Sequence, residues 1–157
     1  MSRRRTHTAK LQGFSIIELM VVVSIIGLLS VMSWPSFQQV QTASTATRLS
    51  NDFRVYGATF ETHALEEGEW AEDGEMNQLP DSLKPYFVNS TWYDAPPTGG
   101  FWDWDKDQLS LTAAVSLVPA HDNIELFIKI DRMLDDGNLA TGNFIKLPNR
   151  YIYILER

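Results

Sequence analysis

The sequence predicts an α+β protein. One long N-terminal helix, membrane-spanning in its first half and amphipathic in its second, is to pack on a three- or four-stranded antiparallel sheet. Three observations predict it. Residues 14–34 are apolar but for one charge, Glu18. Residues 46–64 place apolar side chains at helical spacing. The last third of the chain alternates apolar and polar residues with a period of two, which is the pattern of half-buried strands.

The N-terminal run comes first. A helix of about 21 residues is roughly 31 Å long, enough to cross a bilayer core. Ahead of it, residues 1–13 carry Arg3, Arg4, Arg5 and Lys10 and no acid. Basic flanks stay on the cytoplasmic side, so the chain beyond the span is expected to be exported. A cleaved secretory signal has a shorter apolar core and then a small-residue cleavage site. Here Trp34 leads instead into Pro35-Ser36-Phe37-Gln38-Gln39-Val40, and a helical pattern continues. Glu18 is the anomaly: a carboxylate on an apolar helix costs a few kcal/mol and points to function.

Lys10-Leu11-Gln12-Gly13-Phe14-Ser15-Ile16-Ile17-Glu18-Leu19-Met20 resembles the processing motif of type IV prepilins and type II secretion pseudopilins. That signature is a basic leader ending in Gly, then an apolar residue, Ser or Thr, Leu or Ile, and Glu at the fifth mature position. The resemblance implies cleavage between Gly13 and Phe14 by a prepilin peptidase, N-methylation at Phe14, and a register role for Glu18 in assembly. It implies further that Glu18 pairs with the Phe14 amine of a neighbouring subunit, with the subunit's own amine as a competitor. Pro35 falls where many members carry a helix-loosening proline. The implied product is a structural subunit of a type IV pilus or a type II secretion pseudopilus, not an enzyme. Its partners would be other pilin or pseudopilin subunits, the peptidase, an inner-membrane assembly platform driven by a cytoplasmic ATPase, and membrane lipid before assembly. Its implied course runs from a single-pass inner-membrane precursor, N-terminus cytoplasmic and head periplasmic, to a periplasmic or extracellular filament. The alternative is a membrane-anchored periplasmic binding module or enzyme that uses the helix only as an anchor.

The expected organisation is a leader (1–13), a spanning and assembly helix (14–34), its amphipathic continuation (35–67) and a globular head (68–157). In the continuation Ala46, Leu49, Phe53, Tyr56, Phe60 and His63/Ala64 form one stripe at 3-4 spacing, while Arg48, Asp52, Arg54 and Glu61 lie off it. That predicts a helix face against a core. Gly68 is the stop signal. Glu61, Glu66, Glu67, Glu69, Glu72, Asp73 and Glu75 then read either as a solvated loop or as an acidic contact surface.

Residues 68–105 are turn-rich, with Leu79-Pro80-Asp81, Lys84-Pro85 and Ala95-Pro96-Pro97-Thr98-Gly99-Gly100. They occupy the place of the variable αβ-loop of pilins. The sheet is expected over about 106–157. Trp102 and Trp104 would face inward on a strand, with Asp103 and Asp105 on its other face. Alternatively Asp103, Asp105 and Asp107, spaced D-x-D-x-D, would hold calcium if the backbone curled as a loop. Leu109, Leu111, Ala113, Val115 and Leu117 predict one strand, and Ile124, Leu126, Ile128 and Ile130 a second joined to it by a turn at 119–123. Phe144–Leu147 predicts a short strand and Tyr151–Leu155 the last. The loop Asp131–Gly142 resembles a C-terminal loop of prepilin-like proteins. A cation held by Asp131, Asp135 and Asp136 would there substitute for the disulfide that closes many pilins, which a chain without cysteine cannot form. Otherwise no cofactor is expected.

Composition narrows the function further. The leader takes four of the thirteen basic residues, leaving nine against twenty acids, a net charge of −11 after residue 13. Nucleic-acid binding needs a basic face, so no such partner is expected. There is no P-loop, nucleophile elbow or zinc-protease motif, and His7, His63 and His121 are scattered. The small head, the missing cysteines and the sheet-rich C-terminus lean toward a pseudopilin-like architecture.

Overall fold

The computed structural model describes residue 13, residues 15–88 and residues 90–157, the Ser33 side chain excepted. The leader residues 1–12 and Phe14, where processing is expected, lie outside the described residues. Two compact units divide the chain, Met1–Gln39 and Val40–Arg157.

The first element, α1 (Ile16–Glu67), is a helix of 52 residues with Pro35 inside it. It joins two pieces, Ile16–Met32 and Trp34–Glu67, at a bend next to that proline. Proline removes one N–H from the helical ladder and crowds the turn before it. Among the described residues no single helix is long and apolar enough to cross a membrane; the two pieces meet that requirement only as a bent pair.

The head follows from the one-sided stretch of α1. Ala46, Leu49, Phe53, Tyr56, Phe60 and His63 are all buried, as the 3-4 spacing predicts. They face a four-stranded antiparallel sheet built from β1 (Gly100–Gln108), β2 (Leu111–Pro119), β3 (Phe144–Lys146) and β4 (Tyr151–Glu156) in the order β1-β2-β4-β3. Aromatic rings make the seam. Phe53 meets Trp102 edge-on at 4.8 Å and Phe144 at 5.1 Å. Tyr56 lies edge-on to Trp102 at 4.9 Å, and Phe60 stacks on Trp104 at 3.8 Å. Fully burying each such ring stabilises by roughly 1.5–3 kcal/mol, and ring pairs add about 0.5–1.5. The loop before β1 closes the same core with Leu79, Leu83, Phe87 and Trp92.

Three expectations about the sheet are corrected. Ile124–Leu134 is a helix, α2, not a strand, and the turn at 119–123 leads into it. Phe127 breaks the apparent alternation: Leu126, Phe127, Ile130 and Asp131 are the buried face, spaced as one side of a helix. Asn123 begins it, its Oδ1 accepting the Leu126 N–H at 3.2 Å. The strand beside β2 is therefore β4, with Leu117 opposite Tyr151 and Ala114 opposite Ile154. The sheet also starts at Gly100 rather than near 106. Leu109 does not extend β2. With Ser110 it forms the two-residue turn of the β1–β2 hairpin, Gln108 pairing with Leu111.

That turn is costly. Leu109 and Ser110 both hold positive φ, 55° and 64°, the conformation of a type I′ turn that Asn-Gly adopts readily and a branched side chain does not. Replacing Leu109-Ser110 by Asn-Gly is expected to stabilise the head by about 1 kcal/mol, raising the thermal midpoint by roughly 2–4 °C; a lower midpoint in a circular-dichroism melt would contradict the turn assignment.

Candidate functional site

The candidate site is the start of α1. Gly13 is exposed, and among the described residues nothing lies within 4 Å of where a side chain would begin. The helix opens with a reciprocal cap. The Ser15 N–H donates to Glu18 Oε2 at 2.9 Å, and the Ile17 N–H donates to Ser15 Oγ at 3.3 Å. This is the S-x-x-E capping box, in which serine and glutamate each satisfy an N–H that the first turn leaves without a partner. The acid is also well placed against the positive end of the helix dipole. Glu18 is thus held to its own helix. The signal for that contact was present in Ser15-Ile16-Ile17-Glu18, where the family motif overshadows the cap.

Beyond the cap the surface is apolar. Ile16, Val31 and Met32 are each more than 70% exposed, and Ile25, Leu28, Trp34 and Phe37 are exposed as well. Ser24 and Ser30 add little polarity, because each hydroxyl donates to the carbonyl four residues back, Met20 and Ile26, at 2.7 Å. An exposed apolar area of this extent marks a surface made for lipid or protein.

The acidic candidates separate into two groups. Asp103 and Asp105 lie side by side on β1, buried, and Arg150 answers both: its Nη1 is 3.3 Å from Asp103 Oδ2 and 2.8 Å from Asp105 Oδ1. The Ser116 hydroxyl also donates to Asp105, and the Asn77 N–H donates to Asp103 at 3.2 Å. Burial raises the Asp103 pKa, as does Asp105 beside it, against the Asn77 N–H and Arg150. The guanidinium occupies the place a cation would take, and the backbone is a strand rather than a loop. Asp107 stands apart, exposed near the hairpin turn. No local pattern points to Arg150, which lies 45 residues from Asp105.

Asp131, Asp135 and Asp136 do converge: one oxygen from each lies within 4.8 Å of the others. His63 is buried edge-on to Tyr86 at 5.5 Å. Part of the acidic run 61–75 is engaged within the chain, Glu66 with the Tyr86 hydroxyl, Glu72 with Lys106 at 2.8 Å and Asp73 with Gln108.

Residues 9–34 match the family model described as the prokaryotic N-terminal methylation motif. Over 82 residues the chain is 34% identical to prepilin peptidase-dependent protein D of Escherichia coli K12, covering 52% of this chain and 56% of that protein. It is 40% identical over 57 residues to the type IV major alpha-pilin of Moraxella bovis, 36% of this chain and 35% of that one. It is 32% identical over 94 residues to the type IV major fimbrial protein FimA of Dichelobacter nodosus, 57% and 58% of the two chains. The chain spans about half the length of these relatives, or less. No solved structure matches it.

Two substitutions test the contacts described. In the full chain in detergent, Ser15→Ala is expected to speed amide exchange at Ile17 about fivefold, the loss of a cap worth about 1 kcal/mol, while leaving the backbone N–H at position 15 protected by Glu18; equal exchange in both proteins would remove the capping box. Arg150→Met leaves two buried carboxylates without their cation and is expected to cost about 3–5 kcal/mol at neutral pH. A carboxyl whose folded pKa is raised favours folding at low pH and loses that contribution as pH rises through it. The deficit of Arg150→Met in denaturant titrations is therefore expected to shrink on acidification; a deficit independent of pH would contradict this reading.

Proposed function

We propose that this chain, which carries the N-terminal methylation motif at residues 9–34, is a structural filament subunit of the type IV pilin kind. In this reading it is made as a membrane precursor, cleaved after Gly13, methylated at Phe14 and polymerised through α1. The carrying observation is the arrangement inside the motif: an apolar, exposed helix surface headed by one carboxylate whose hydrogen bond, among the described residues, comes from its own first turn. Lipid suits the apolar surface but not the carboxylate. Neighbouring helices suit both, because each mature subunit would bring a positive amine at Phe14. Two unit charges about 4 Å apart attract by roughly 4 kcal/mol at an effective dielectric near 20.

Glu18 then has two alternative partners, the Ser15 N–H within its own helix and the amine of a neighbour. Only one stagger of subunits presents that amine, so the pair sets register. The role of Gly13 is to pass the backbone through the peptidase cleft without a side chain, and the role of Pro35 is to loosen α1 where its surface changes character. The names of the relatives favour a pilus over a secretion pseudopilus. A structural role, with the peptidase and the inner-membrane platform as partners, completes the reading.

Mass spectrometry of the protein purified from cells with an active prepilin peptidase is expected to show residues 1–13 removed and N-methyl-Phe14 at the new terminus. An intact N-terminus would overturn the proposal. Glu18→Ala is expected to lower sheared filament at least about tenfold, the factor that 1.4 kcal/mol of lost pairing would give, with the membrane pool unchanged; normal assembly would remove Glu18 from the mechanism.

A further inference from the structure

The last turn of α1 and the loop after it border a cavity of about 330 Å³. His63 and Glu67 line it from the helix, and Glu69, Trp70, Glu72 and Ser82 line it from beyond. Gly68 makes this possible. At φ +81° it takes the left-handed conformation that ends a helix, and its N–H donates to the Ala64 carbonyl at 2.9 Å. The chain turns there, which brings Glu69 and Glu72 to the cavity that His63 and Glu67 already face.

The imidazole is the unexplained group. His63 is 4% exposed, and its Nδ1 is buried without a hydrogen-bond partner. A buried polar atom in that state costs free energy that a partner would recover. Edge-on packing against Tyr86 at 5.5 Å explains a ring at this position but not its nitrogens, since phenylalanine would pack in the same way.

The surroundings favour a cation. A helix C-terminus carries roughly half a negative charge, and the last turn of α1 holds no basic residue to answer it. The acids nearby differ in how far they are already used. Glu66 accepts the Tyr86 hydroxyl, and Glu72 pairs with Lys106 at 2.8 Å. Lys106 is near enough to feel Glu69 as well. The carboxylates of Glu67 and Glu69 are exposed, and among the described residues neither makes a hydrogen bond or an ion pair. His63 and Glu67 are four residues apart, so they rise from one face of the helix with Cβ atoms about 5–6 Å apart.

We propose that His63, Glu67 and Glu69 bind one zinc ion, which fastens the end of α1 to the loop that leaves it. Zinc takes an imidazole nitrogen at about 2.0–2.1 Å and carboxylate oxygens at about 2.0–2.2 Å, four ligands in a tetrahedron. Water supplies the fourth. Neutral imidazole is the commonest metal ligand, and calcium and magnesium, which seek oxygen, gain nothing from it. The two glutamates are not gathered on the ring in the way Asp131, Asp135 and Asp136 are gathered on one another. Both stand in solvent, so closing on the ion changes side-chain rotamers and leaves the fold as it is. The site lies within Val40–Arg157, away from residues 9–34, and it stands or falls independently of the filament reading.

The test uses the full chain in detergent, stripped with chelator and titrated with zinc chloride. At about 100 times the dissociation constant measured by calorimetry, zinc is expected to raise the thermal midpoint by roughly 5–10 °C. His63→Phe keeps the ring and removes its nitrogens. It is expected to melt, in chelator, no lower than the native chain, and to lose the zinc shift. Should that variant fail to fold, Glu67→Gln with Glu69→Gln, at exposed positions, is expected to weaken zinc binding at least about tenfold. Nuclear magnetic resonance of the three histidine rings reports the ligand directly. The ring signal missing from His63→Phe is expected to move when zinc is added. No heat of binding and no shift with zinc, a shift kept by His63→Phe or by the glutamate variant, or a His63 signal unmoved at saturation would each overturn the site.

Discussion

The apolar, exposed surface of α1 between Ile16 and Val40, with one carboxylate at its head, is the constraint from which the chain's organisation follows. Water penalises such a surface by about 25 cal/mol for each Å². The penalty is lifted by hydrocarbon or by other apolar helices. The carboxylate separates these two environments, because hydrocarbon offers it nothing beyond its own first turn, whereas a helix bundle can offer a cation. The Ser15–Glu18 capping box makes the monomer tolerable in the meantime: it keeps the acid on the helix dipole and satisfies the first N–H groups. The same carboxylate is thereby kept in a defined place from which a stronger partner can take it.

The head solves a different problem, which is how to hold a small sheet without a disulfide. Aromatic rings from α1 and β1 interlock on one face. On the other side of β1, Arg150 reaches across from the turn before β4 to Asp103 and Asp105. Removing either partner of a buried pair is far more damaging than the pair is stabilising, so β1, the edge strand beside β2, depends on this contact.

Long, regular patterns were legible in the sequence. The stripe from Ala46 to His63 can be read because about five turns of helix repeat it. The last strand can be read because Tyr151-Ile152-Tyr153-Ile154-Leu155 is rich in β-branched and aromatic residues. Residues 124–134 mislead because Ile124, Leu126, Ile128 and Ile130 fit period two, while Phe127 and the buried Asp131 fit only a helix; Asn123 is the capping residue that arbitrates such cases. The hairpin turn at Leu109-Ser110 is illegible, because neither residue favours positive φ. At the N-terminus the motif is plain, but the pairing of Ser15 with Glu18 is hidden inside it. The Arg150 contact and the burial of Asp131 depend on how distant segments meet, which no local pattern reports.

In the proposed assembly α1 exchanges lipid for neighbouring copies of itself. A chain without cysteine makes that exchange directly measurable, since one cysteine introduced at Ile25 or Val31 supplies a single reporter thiol. With a lipid-soluble maleimide, both positions are expected to label in membranes and both to be protected in sheared filaments. Equal labelling in the two states, or a filament in which Ile25 stays open to reagent, would contradict the exchange.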